Sequence, residues 1–252
     1  MLSQYLQITQ QMLGDIKGQA FNPGFLKNYI NIMRGKLAGQ SACIRAYGTI
    51  NTVIGQQSYS FSSLIFAVGG VQGALNLRRL MYLVGSGAKW VTPRSWEWFE
   101  LYELNNPVPT SGSPITWAQH HQGSASIGDI TGEGAGTINS GSFWVSPIPD
   151  FVYTLQFDCE CYPIALNSDS DVEAIPYQWT DAIPYGAAWM ALLATGIPER
   201  KADADKFFSY FQQYAQMARD AANPDILKYQ YARQPNVTLP NQLGMNLPRG
   251  GQ

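Results

Sequence analysis

Charge is scarce in this chain. Asp, Glu, Lys and Arg make up 13% of its 252 residues, about half the share usual for soluble domains. Sixteen basic residues against 18 acidic ones leave a formal net charge of −2. That excludes a nucleic-acid binder that works by neutralising phosphates, which needs a clear basic excess. A weakly charged tunnel that DNA crosses without being gripped stays compatible with it. Cysteine is rare too, and three of them, an odd number, do not suggest a disulfide framework. No run reaches the roughly 18 apolar residues of a membrane span. The first residues lack a basic segment followed by an apolar stretch and a cleavage site, so the expectation is a soluble protein made in the cytosol, without membrane contact.

Apolar material is plentiful: 45% of residues are hydrophobic and 13% aromatic, ample for one large or two modest packed domains. So few charges beside so many rings fit a surface covered by copies of the chain or by partners. They also fit a secreted or virion-borne β-rich protein with ordinary polar faces.

Helical periodicity marks both ends of the chain. Leu2, Leu6, Leu13 and Ile16, with Tyr5 and Met12, share one face of a first helix that Gly18 is expected to end. Asn22 then caps a second helix with Pro23 at its first position, where a missing N–H costs nothing. Leu26, Ile30, Met33 and Leu37 recur along it before Gly39. Near the other end, residues 177–195 form a helix with Trp179, Ile183, Ala187, Met190 and Leu193 on one face and Gly196 closing it in a left-handed conformation. Pro184 should kink that helix or move its start to about Tyr185. A last helix over 198–223 opens on Pro198 and stops at Asn223-Pro224, with Phe207, Phe211, Tyr214 and Ala218 in a stripe flanked by Phe208 and Ala215.

The middle reads as strands. Tyr59, Phe61, Leu64 and Phe66 stand among serines within the strand-like stretch 42–66. Leu80–Val84 and Lys89–Val91 flank a Gly85-Ser86-Gly87 hairpin turn. Thr92-Pro93 is expected to start a short helix carrying Trp96, Phe99 and Leu101, an aromatic plug over a sheet edge or face. Between Asn105 and Ser142 prolines and glycines predict long loops crossed by one strand near Ile115–Gln119. In Val152–Tyr162, Tyr153, Leu155, Phe157, Cys159 and Cys161 alternate with polar residues, the pattern of a half-buried strand.

The whole is an α+β chain. A helical body forms from the N-terminal and C-terminal helices (1–41 and 175–223), with an inserted antiparallel β-rich region (42–174) containing a short helix near 93–103, and an extended C-terminal arm (224–252). The arm is broken by Pro235, Pro240 and Pro248, yet it keeps Ile226, Leu227, Tyr229, Tyr231, Arg233, Val237, Leu239, Leu243, Met245 and Leu247. A plain linker lacks such anchors, so the arm is read as a segment that orders on a partner.

Chemical constellations are weak. His120 and His121, adjacent on a strand, point to opposite faces and chelate poorly. Cys159 and Cys161 have no second pair for zinc and read as small core residues. Thr131–Gly136 resembles a phosphate loop without its strand and helix. Asp169, Asp171 and Glu173 lack calcium-loop spacing and read as helix-start electrostatics for the following helix. Cys43 has no recognisable histidine partner, and Glu97 with Glu100, or Asp158 with Glu160, read as surface charge. No cofactor, metal or catalytic residue is expected.

Two stretches carry a resemblance. The opening helix with Phe21-Asn22-Pro23-Gly24-Phe25-Leu26-Lys27-Asn28-Tyr29-Ile30-Asn31 is similar to the start of head-to-tail adaptor proteins of tailed, especially short-tailed, bacteriophages. Phe143–Pro147, Tyr153–Tyr162 and the run from Ile175 to Ala188 resemble the same family's strands and helix-opening turn. The resemblance implies a virion neck component assembled in the host bacterial cytoplasm. It implies a homo-oligomeric ring of roughly twelve copies, seated between portal protein and tail nozzle and continuing the DNA channel, with the C-terminal arm on the portal. Two other classes compete. One is a carbohydrate-binding tail component using Trp90, Trp96, Trp98, Trp117 or Trp144. The other is a peptidoglycan hydrolase using carboxylates such as Glu97 or Glu133.

Overall fold

A computed structural model of the protein describes residues 1–15, 17–85, 87–105, 110–123 and 141–222. The expected α+β build is what it shows: helices at both ends and a mostly antiparallel sheet between them.

Helix α1 (Leu2–Met12) stops earlier than Gly18. Gly14, at φ +69°, takes the left-handed position; its N–H donates to Gln11 O (3.1 Å), and Asp15 N–H donates to Gln10 O (2.9 Å). This paired closure is the usual glycine-ended helix stop. Its buried line is Leu2, Tyr5 and Thr9; Leu6, Met12 and Leu13 are half-buried, and Ile16 lies outside the described residues. Helix α2 (Pro23–Ser41) begins as expected, with Gly24 N–H donating to the Asn22 side chain at 2.7 Å and Leu26, Ile30, Met33 and Leu37 fully buried. It runs through Gly39, and its stop is Ala42 in a left-handed conformation.

The β region holds β1 (Arg45–Asn51), β2 (Ser58–Ser60), β3 (Ile65–Phe66), β4 (Val71–Val84), β5 (Gly87–Pro93), β6 (Thr116–Gln119), β7 (Ser142–Ser146) and β8 (Thr154–Pro163). Their order is β2-β7-β6-β5-β4-β8-β1-β3, all neighbours antiparallel except β5 with β6. The two edge strands, β2 and β3, are joined by just Phe61–Leu64, a reach of at most about 17 Å. Laid flat, the sheet would be roughly 34 Å wide at the normal strand spacing. It must therefore curl until its edges approach. The interior is aromatic: Phe157 of β8 meets Phe143 of β7 at 4.5 Å and Trp117 of β6 at 6.0 Å between ring centroids, and Tyr59 of β2 stacks on Phe143 at 5.4 Å.

Helix α3 (Trp96–Phe99) is capped by Ser95, not Thr92, because β5 keeps its strand geometry through Pro93. The expected plug is present in Trp96 and Phe99, while Leu101 is exposed and lies outside it. Phe99 is fully buried, and Trp96 packs on Phe99, His120 and Trp144 beside the end of β6.

Helix α4 (Ala182–Ala194) follows a short turn at Tyr177–Trp179, so Pro184 falls in its first turn, where it breaks no hydrogen bond. Ile183 and Ala187 are buried as expected; Met190 is half-buried, Leu193 is exposed and Gly196 ends the helix region at φ +65°. Helix α5 (Lys201–Ala222) follows a turn at Pro198–Arg200. Its innermost line is Ala204, Phe211, Ala215 and Ala218, while Phe207 and Tyr214 lie to one side against Tyr185. Helix α4 touches α1, α2 and α5 and is apolar nearly all round, as a central helix must be. Gly186 permits this closeness: a Cβ there would lie 2.9 Å from Met33 Cγ and 3.1 Å from Phe211 Cδ2.

Buried polar groups tie these parts together. Arg34 of α2 makes a two-pronged pair with Glu173, at 2.7 Å (Nη2–Oε1) and 3.0 Å (Nε–Oε2), with both side chains buried. Arg34 Nη1 also donates to Ile164 O, just past β8, at 2.7 Å, and Tyr5 OH of α1 donates to Glu173 Oε2 at 3.0 Å. Asn31 exchanges two hydrogen bonds with the Leu166 backbone, at 2.8 and 3.1 Å. Replacing Glu173 with Gln leaves the Arg34 charge buried without a counter-charge. The expected loss is roughly 3 kcal/mol, a fall in melting temperature of about 6–12 °C, read by thermal denaturation of the purified chain.

Candidate assembly surfaces

The residues favoured from sequence as the arm's anchors, Ile226, Leu227, Tyr229, Tyr231, Arg233, Val237, Leu239, Leu243, Met245 and Leu247, lie outside the described residues, as do Thr131–Gly136 and Glu133. The other candidates can be placed. Cys43, Cys159 and Cys161 are buried. Burial pushes all three thiols up, Cys161 to about 12, which leaves no thiolate for nucleophilic work near neutrality. Asp158 pairs with Arg45, and Glu160 with Arg78 at 3.7 Å and with Asn76 at 2.9 Å. The outward row of β8, expected to be simply wet, thus carries cross-strand ion pairs. His120 and His121 do not splay apart: both follow the end of β6, and their rings lie 3.6 Å apart. Burial, then His121, pushes the His120 pKa down. No group of three potential metal-ligating side chains occurs among the described residues.

The acidic trio before α4 divides its labour. Asp169 accepts from the Ser3 N–H at 2.7 Å and from the terminal ammonium of Met1 at 3.1 Å, so it serves the start of α1 and not of α4. Asp171 accepts from the N–H groups of Asn167 and Ser168, closing its own turn. Glu173 is the buried partner of Arg34.

The tryptophans are also unlike one another. Trp117 is inside the curled sheet, Trp96 and Trp144 pack together, and Trp98 lies under the Arg94 guanidinium, 4.6 Å from it. Trp90 is 64% exposed.

Strand registers show where Trp90 stands. Ile65 opposes Thr49, Thr49 opposes Gln156, Gln156 opposes Met81, and Met81 opposes Trp90. One straight row therefore crosses β3, β1, β8, β4 and β5 on the outward face. It begins at Ile65, 71% exposed, and ends at Trp90. Tyr47 and Leu83 flank it on the same face, both exposed. A second apolar group crowns the sheet end away from the helices. Val53 and Ile54 follow β1, Phe151 and Val152 precede β8, and Val84 ends β4; all five are exposed. Backbone bonds knit this tip, with Thr52 N–H to Tyr153 O at 2.8 Å and Gly55 N–H to Pro149 O at 2.9 Å. Sequence alternation marked the outward side of β8 alone; the row and the tip depend on which strands lie side by side, which was not readable without the register.

A sheet face with exposed Ile65, Tyr47, Leu83 and Trp90 around a half-polar row, and an apolar tip, both held on hydrogen-bonded strands, are equipment for covering and being covered. The class they define, with helices at both chain ends around an inserted sheet, is a structural subunit of a larger assembly. Over residues 3–238 the chain matches the family described as SU10 adaptor protein, and it belongs to that family of phage structural adaptors. No curated protein matches it.

Backbone N–H donation from Ser3, first, and then the contacts of the Ser3 side chain and the terminal ammonium hold the Asp169 carboxyl down at about 2, against 3.8 ordinarily. A depressed carboxyl contributes stability above its unfolded value and loses it as pH falls through the folded one. The α1 start should therefore keep its full protection above about pH 4 and lose it progressively as the pH falls from there to about 2. Asp169→Asn should remove that step, as measured by amide exchange of residues 3–6.

Proposed function

We propose that the chain is the head-to-tail adaptor of a short-tailed phage, forming a ring of roughly twelve copies between portal protein and tail nozzle and extending the DNA channel. Membership of the adaptor family is the observation that carries this reading. Exposed Ile65 and Tyr47 on the outer sheet face and the Val53–Phe151 tip support it, because a heterologous contact repeated around a closed ring covers such surfaces without runaway polymerisation. A net charge of −2 suits a channel wall that lets DNA pass without holding it. The work is mechanical, with no bond made or broken. Residues 224–252 form the portal-binding arm, whose spaced apolar anchors, from Ile226 to Leu247, distribute the attachment over many small contacts. Assembly takes place in the host bacterial cytoplasm. No helix among the described residues is long and apolar enough to cross a membrane.

Truncation after Asn223 tests the arm. The shortened chain should melt within a few degrees of the full chain and fail to join portal rings in native mass measurement or sedimentation. Joining at full-chain affinity would refute the arm's role.

A further inference from the structure

The sheet forks beside α5. Strand β5 pairs with β4 up to Leu80↔Val91, then leaves it to pair with β6 at Thr92 and Pro93. Between the parted strands lies a groove of about 450 Å³, lined by Arg78, Arg79, Leu80, Trp90, Val91, Thr92 and Pro93. Its walls are mainly apolar, and Arg78 and Arg79 are among the residues that line it. The last described turn of α5 ends there: Arg78 Nη1 donates to the Ala222 carbonyl at 3.4 Å, one of the helix's terminal acceptors.

We infer that this groove is the seat of the arm's root, with Ile226 and Leu227 packed against Trp90 and Pro93 and the Asp225 carboxylate set toward Arg78 and Arg79. Three observations converge on this occupant. The chain passes Ala222 at the groove's own wall, and five further residues span up to about 17 Å, enough to reach all of it. The first charged residue beyond the helix, Asp225, is opposite in sign to the two arginines, and the next two residues are aliphatic, as the groove requires. The adaptor-family match continues past α5 to residue 238, so the root lies within the matched chain and residues 239–252 lie beyond it.

Docking divides the arm into a root held by its own subunit and a distal part, from about Arg233 onward, left to reach a partner. It gives the arm a fixed point of departure, which shortens the search for the partner's site. Seating of the root is read on the isolated full chain, so its failure and a failure of portal joining are separate results.

The test is a cysteine pair, Thr92→Cys with Leu227→Cys, in the full chain under mild oxidant. The native thiols are buried and do not compete. An intrachain disulfide forming well above the level of a Ser3→Cys/Leu227→Cys control is expected. No excess over that control, or bonding only between chains, overturns the proposal. Trp90→Ala gives a second reading that does not threaten folding, because Trp90 is largely exposed. Tryptic cleavage after Lys228 should quicken about tenfold, as local opening becomes more frequent. An unchanged rate overturns the proposal.

Discussion

The buried pair between Arg34 and Glu173 is the constraint on which the remaining architecture hangs. Arg34 sits on a helix near the start of the chain and Glu173 on the approach to α4. The guanidinium also holds Ile164 O at the exit of β8, and the carboxylate holds the Tyr5 hydroxyl of α1. A single charge pair thus joins four segments, α1, α2, the exit of β8 and the approach to α4, drawn from two distant stretches of the chain. Burying it is expensive in desolvation, and the two-pronged geometry with added donors offsets that cost. The alternative of apolar residues would pack as well without dictating register. Here the geometry fixes how the helices meet the end of the sheet.

From that junction the sheet runs outward. Strands β1, β4 and β8 each have one end at the helices, near Arg45, Val71 and Pro163, and the other at the apolar tip, near Asn51, Val84 and Thr154. The curl forced by the short link from β2 to β3 gives the sheet a filled aromatic interior. Its outer face is therefore free to carry side chains chosen for partners and not for the core. Ion pairs between Arg45 and Asp158, and between Arg78 and Glu160, brace that face without making it strongly charged. A braced surface with apolar side chains loses little freedom when it is covered, which favours association.

Much of the fold was legible where the cause is local. Asn22-Pro23 marks a helix start, the apolar stripe of α2 is read from spacing alone, and the alternation from Tyr153 to Cys161 gives a half-buried strand. What escaped was set by distant contacts. Gly14, not Gly18, ends α1, because two well-formed backbone bonds close there. Ser95, not Thr92, caps α3, because β6 claims the residues before it. Glu173 reads as one acid among three until Arg34 is placed against it. The histidine rings meet because β6 has already ended. For the candidate surfaces, sequence showed the outward residues of β8 alone, while the five-strand row from Ile65 to Trp90 exists through pairing order. The low charge and the adaptor resemblance pointed to covered surfaces, but not to which ones.

Hydroxyl-radical footprinting of the free chain and of the same chain assembled with portal protein puts this account to its most direct trial. Ile65 and Tyr47 on the outer sheet face, with Phe151 at the tip, should lose most of their labelling on assembly. Labelling of exposed Tyr177 beside the helices gives the comparison. Equal labelling of the sheet face in both states, within a complex shown by mass to contain many copies, would contradict the claim that this face is built to be covered.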